Sequence, residues 1–264
     1  MRFLKYALVI VCCLATLGCY EVNEEIAIND DGSGIYNTKM DLGQLLEMMQ
    51  TFAGEEKMTE EGLDRAIDTT LNFGSLLDSA KDLSAEQKEL MKDGKMHMQL
   101  NMKEKLFKID MNVPYKNFAS LQKLLASGGA TGGAMSKVMK EIFSDKKGNN
   151  QTDTTQSQEQ DFAPNMDDLT GFFDVTVNKG LISRKVNTEK WKALADKPEM
   201  QQMKQLSGSG MEILYTTTIR LPRAVKKSDN PLFKLSDDKK TITMKYNMLE
   251  MLDNPEKFSY SIEY

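Results

Sequence analysis

Lys95-Met96-His97-Met98-Gln99-Leu100-Asn101-Met102, followed after a polar break by Leu106-Phe107-Lys108-Ile109-Asp110-Met111-Asn112-Val113-Pro114, is the stretch that decides the fold. In the first run Met96, Met98, Leu100 and Met102 alternate with Lys95, His97, Gln99 and Asn101. In the second, Phe107, Ile109, Met111 and Val113 alternate with Leu106, Lys108, Asp110 and Asn112. A period of two puts each apolar set on one face of a strand, so the pair predicts a hairpin with one buried and one wetted face. Pro114 has no N–H for a ladder and predicts the end of the pairing.

The same pattern recurs on both sides. Val22, Glu24, Ile26 and Ile28 alternate with Asn23, Glu25 and Ala27, and the turn formers Asn29 to Gly34 lead into a returning run, Ile35 to Met40. Phe173, Val175 and Val177 precede the turn Asn178-Lys179-Gly180 and a return from Leu181 to Val186. Ile213 to Leu221, Ile242 to Tyr246 and Phe258 to Tyr264 read as further strands, and residues 69–73 as a short one. Helical spacing follows Asp41 (Leu42, Leu45, Leu46, Met49, Phe52), runs from Thr59 to Asp68, and returns at Phe118, Leu121, Leu124 and Leu125. Ser84 and Gln87 form a capping box for a helix to Lys92. Further helices are predicted from Met135 to Phe143, around Trp191 with a break at Pro198, and from Leu249 to Leu252.

Three times a hairpin is followed by a helix, near 22–53, 94–127 and 172–205, without clear similarity between the three sequences. The expected fold class is therefore α+β: an antiparallel sheet built from hairpins, with helices packed on one face. Residues 145–163 are polar and repetitive, with Asn149-Asn150-Gln151 and Gln156-Ser157-Gln158. Such a composition reads as a disordered insert or linker. The chain divides accordingly into 1–18, a leader; 19–144, an N-terminal α+β part; 145–163; and 164–264, a C-terminal α+β part, separate from the first or continuous with it.

Arg2 and Lys5 precede an apolar run from Ala7 to Leu17, which is too short to span a bilayer, and the small Gly18 stands before Cys19. The run Leu14-Ala15-Thr16-Leu17-Gly18-Cys19 resembles the lipobox of bacterial lipoproteins, in which cleavage before the cysteine is coupled to acylation of its thiol. Thr16 and Leu17 depart from the usual residues at their places; Gly18 and Cys19 fit. Cys12 and Cys13 lie within the apolar run, so removal of 1–18 leaves Cys19 as the single cysteine. A lone free thiol is a liability in an oxidising compartment, whereas an acylated one is not. The first strand is expected about three residues beyond the lipid, a tether of only about 10 Å.

Over the 264 residues the formal net charge is -5, and loss of Arg2 and Lys5 makes the mature chain more acidic still. That balance excludes the basic face a nucleic-acid binder uses, and docking on anionic lipid by charge. Met96-His97-Met98 brings together soft copper ligands, yet in a strand His97 points away from both methionines. Asp30-Asp31-Gly32 is reminiscent of a calcium loop, but with Gly32 at the sixth place Ala27 and Thr38 occupy positions that need carboxylates. His97 is the only histidine, and no nucleophile or phosphate-loop motif accompanies it. A carboxylate pair could act as acid and base, without a filter to choose one among 39 acidic residues. Asp68-Thr69-Thr70, Asp78-Ser79-Ala80 and Asp153-Thr154-Thr155 resemble a short O-glycosylation signal of some envelope bacteria.

The opening as a whole, Cys19, the acidic strand Glu21 to Asn29, the turn Asp31-Gly32-Ser33-Gly34 and the return Ile35 to Met40, resembles uncharacterised envelope lipoproteins of diderm bacteria. The tail from Leu221-Pro222 through Asn254-Pro255 to Tyr264 is similar to theirs as well. The resemblance implies an α+β fold and a lipid anchor at Cys19 in the cell envelope, at the outer membrane on its periplasmic or outer side. It transfers no catalytic, cofactor or metal residue. The expected function is a membrane-anchored binding or assembly module with an envelope protein as partner and no nucleic acid. The alternatives are a carrier of lipid or a small hydrophobe, for which the Met-rich faces would line a cavity, and a carboxylate-dependent hydrolase.

Overall fold

The alternating runs do form strands, and they pair in two sheets rather than one. The computed structural model describes residues 19–44, 46–47, 66–79, 83–129, 171–198, 200–201, 204 and 212–264. In chain order the elements are β1 (Cys19–Ile28), β2 (Gly34–Asp41), β3 (Ile67–Asn72), α1 (Phe73–Ser79), α2 (Ala85–Met91), β4 (Lys95–Asn101), β5 (Leu106–Tyr115) and α3 (Phe118–Ala126). After these come β6 (Phe173–Asn178), β7 (Leu181–Val186), α4 (Thr188–Ala195), β8 (Glu212–Arg220), β9 (Lys227–Ser228), β10 (Lys234–Leu235), β11 (Thr241–Asn247), α5 (Glu250–Asp253), a 3-10 turn (Pro255–Phe258) and β12 (Tyr260–Glu263). The leader, the expected helix at 135–143 and the 145–163 stretch lie outside the described residues.

The large sheet has eight strands in the order β10-β11-β8-β1-β2-β5-β4-β3, and the small sheet four, β6-β7-β12-β9. Every pairing is antiparallel except one: β1 and β8 run parallel, from Cys19 opposite Glu212 to Ala27 opposite Arg220. The large sheet thus draws strands from both sides of the 145–163 stretch. The fold is mixed α and β with mostly antiparallel strands, in which strands outweigh helices. The expectation of one antiparallel sheet is corrected on two counts, the second sheet and the parallel pair.

Alternation sets the faces as predicted. Val22, Glu24, Ile26 and Ile28 of β1 are buried, as are Met96, Met98 and Leu100 of β4 and Ile109, Met111 and Val113 of β5. Val177, Ile182, Tyr260 and Ile262 of the small sheet share one apolar core with Ile26, Tyr36, Met96 and Met244 of the large one. Burying these side chains stabilises by roughly 1.5–3 kcal/mol each before chain entropy is counted. The opposite face of the large sheet is mostly polar, with Ile35 and Leu214 as large apolar side chains exposed on it. One register row crosses it as Thr70, His97, Asp110, Lys39, Asn23, Thr216 and Lys245.

Several boundaries need correcting. β1 begins at Cys19 itself, so no linker separates that residue from the sheet. Ile67 and Asp68 belong to β3, not to a helix from Thr59, and Ala66 is not helical; residues 59–65 of that predicted helix lie outside the described residues. Pro114 does not end the pairing: the β4 ladder stops earlier, at Lys95 with Asn112, and β5 runs through Pro114 to Tyr115 along β2. The capping box is present: Gln87 N–H donates to Ser84 Oγ at 3.2 Å, and Ser84 N–H to Gln87 Oε1 at 3.0 Å. After β2, residues 43–44 and 46–47 are helical, and Gly43 N–H donates to Asp41 Oδ1 at 3.2 Å. The remainder of the helix predicted there is outside the described residues.

Candidate functional site

Polar side chains gather where the two sheets face each other. Glu24 stands on the buried face of β1, between Val22 and Ile26, and is only 8% exposed. β2 and β8 flank β1, and each supplies a hydroxyl. Tyr36 Oη donates to Glu24 Oε1. Thr217 Oγ1 donates to Oε2 at 3.0 Å. Both carboxylate oxygens are thereby engaged, which a buried charge requires. Beyond Thr217, the Tyr246 hydroxyl of β11 is hydrogen-bonded to its side chain.

The small sheet contributes the opposite charge. Arg184 of β7 lies in register with Tyr260 of β12, and its guanidinium carbon stands 3.7 Å from the centroid of the Phe173 ring, a cation–π contact. Burial opposes the Arg184 charge, but Tyr246, Tyr260, Glu24 and Tyr215 outweigh it and raise its affinity for the proton. Among the described residues the guanidinium has no hydrogen-bond acceptor. The tyrosines are correspondingly weak acids. Burial, then Glu24, raises Tyr215 well above the usual phenol range, and burial pushes Tyr260 up to about 12. All are hydroxyl donors near neutral pH.

These groups line a cavity of about 30 Å³. Glu24 and Ile26 come from β1, Tyr215 from β8, Tyr246 from β11, Arg184 and Tyr260 from the small sheet. The end of α3 closes one side with Leu125, Gly128 and Gly129, and the turn into α5 another with Met248 and Met251. Gly129 has a φ of +64°, and a Cβ there would fall 2.1 Å from the Tyr36 hydroxyl. Only glycine lets the chain pass this close to the Glu24 cluster.

The cluster was not singled out from sequence. Its signal is present, because Glu24 occupies an apolar-face position in a strict alternation, which marks a buried charge in want of donors. Arg184, by contrast, sits in Leu181 to Val186 without an alternation clear enough to orient it. The residues that sequence did single out are dispersed. Met96 and Met98 are packed in the core and His97 faces the other way, its Nε2 2.8 Å from Asp68 Oδ1. Asp31 turns its carboxylate onto Ser33, accepting from the backbone N–H at 2.9 Å and from Oγ at 2.6 Å, which makes the loop a turn. Thr69, in β3, points to the same side as Ile67 and Leu71. Ser79 ends α1, and Asp153 to Thr155 lie outside the described residues.

Among the described residues no set of three or more His, Cys, Asp or Glu side chains could hold a metal ion, and no helix is long and apolar enough to cross a membrane. Glu24 is the one carboxylate lining the cavity. Comparison with protein-family models, with curated proteins and with solved structures finds no match to this chain.

Proposed function

We propose that the protein is an envelope lipoprotein, acylated at Cys19 and held at the outer membrane, whose folded domain binds a protein partner through the open face of the large sheet. The observation that carries this reading is the placement of Cys19 as the first residue of β1, a strand with sheet neighbours on both sides. A lipid there would be joined to the framework directly. The open polar face, rich in Asn, Thr and paired charges, would then be presented at a fixed orientation to the membrane. Helices packed on the other face belong to the same reading, which is supported by Phe73, Leu77, Met91, Leu121 and Leu124, all members of the core that the two sheets share.

The other readings find less support. A carrier of alkyl chains needs a cavity of several hundred Å³; a pocket of about 420 Å³ is present, but Asp229, Lys245, Glu250, Glu256 and Lys257 are among the residues that line it, and the Met-rich strands that suggested a carrier are closed in the core. A hydrolytic carboxylate pair needs a second acid beside Glu24.

Two measurements test the proposal. Intact mass should reveal acylation at residue 19, and Cys19→Ala should leave the membrane fraction. Photo-crosslinkers placed at Asn112 and Thr218 on the open face should capture one reproducible envelope protein at native expression. A soluble, unmodified wild type defeats the anchor; absence of any reproducible adduct defeats the partner.

A further inference from the structure

We propose that the cavity between the two sheets is a binding site for the carboxylate group of a small aliphatic acid. Glu24 accepts at both oxygens, from Tyr36 and Thr217, and needs nothing more. Arg184 brings five N–H donors, and the described residues provide no acceptor for them. Tyr215 and Tyr260 add hydroxyls that make no hydrogen bond among those residues, although the two side chains are only 6% and 4% exposed. Among the described residues these donors have no acceptor, and Arg184, Tyr215 and Tyr260 line one and the same space. In such a place a group with two acceptor oxygens in one plane satisfies most at once, because guanidinium and carboxylate match as a two-bonded fork.

Size and lining narrow the ligand. A space of about 30 Å³ takes roughly two or three water-sized groups. That is room for a carboxylate head with at most a methyl beside it. Leu125, Met248 and Met251 offer that methyl an apolar wall. Glu24 opposes a second anion, so its charge should limit affinity rather than contribute to it.

The test uses the full-length protein, purified as its host makes it, with sodium acetate as probe and sodium chloride at equal ionic strength as control. Saturation-transfer NMR and the shift in Tm are read together. Acetate is expected to bind saturably, with a Kd on the order of 1 mM given its few atoms. Arg184→Met should weaken binding at least tenfold, and Tyr260→Phe and Tyr215→Phe about threefold each. The tyrosine variants remove one oxygen only and serve where Arg184→Met does not fold. Glu24→Gln keeps the hydrogen-bonded shape and removes the charge, and should tighten binding. The proposal is overturned by a wild type that responds to acetate no more than to chloride. Binding that survives both tyrosine variants, or Arg184→Met in folded form, also overturns it, as does a Glu24→Gln protein that binds acetate more weakly.

Discussion

At the scale of single residues, the cluster around Glu24 makes opposite predictions for neighbours on one face. Removing the Glu24 carboxylate takes an acceptor from the hydroxyls of Tyr36 and Thr217 and a balancing charge from Arg184. Glu24→Ala should therefore destabilise by about 3 kcal/mol, measured by urea unfolding. Thr38, on the same face of β2, is fully buried with a hydroxyl that has no hydrogen-bond partner. Thr38→Val replaces that oxygen with a methyl of similar shape and should stabilise by about 1 kcal/mol in the same assay. A loss of stability in Thr38→Val would mean that the hydroxyl finds a partner in solution. Asp68, held below the usual carboxylate range by His97 and then Gln99, is fully exposed and carries no comparable expectation.

Among elements, the end of α3 is the most constrained. Gly129→Ala places a methyl against the Tyr36 hydroxyl in a left-handed backbone conformation, and should lower Tm by several degrees, read by circular dichroism. This scale also explains what could be read from sequence. Strand identity and face followed from alternation, which is local, and so did the Ser84 capping box. Ile67 and Leu71, four apart, satisfy a helical period as well as an alternating one, and only pairing with β4 decides for β3. β9 and β10, two residues each, carry no periodicity. Which strand lies beside which was illegible, because alternation assigns a face and not a neighbour. The β1–β8 pair and the division into two sheets both belong to that missing information, and the cavity, formed by residues of both sheets, was hidden with them.

For the whole molecule, the buried tyrosines set an alkaline limit. Tyr260, pushed up to about 12, and Tyr215, raised well above the usual phenol range, keep their protons in the folded state where the unfolded chain releases them near pH 10. The folded form then binds more protons, so their contribution is intact below pH 10 and is lost as pH rises through 10 towards 12 and beyond. A Tm-against-pH series should be flat for these groups up to about pH 9 and fall steeply above 10. Phenolate absorbance from this cluster should appear together with unfolding. Early, independent ionisation of Tyr215, Tyr246 and Tyr260 would contradict the packing described.

The parallel pairing of β1 with β8 also governs when the molecule can come into being. Glu24 and its partner Thr217 are 193 positions apart, so the sheet cannot close around its central strand until nearly the whole chain is available. Until then the β1–β2 hairpin offers an open edge and an uncovered apolar face to anything nearby. A chain that appears N-terminus first must wait through this interval, and long-range closure of this kind is intrinsically slow. The protein should consequently depend on a holding chaperone during its biogenesis, and that need should lessen in a circular permutant that joins Tyr264 to Cys19 and opens ahead of β8, because β8 and β1 are then much closer along the chain.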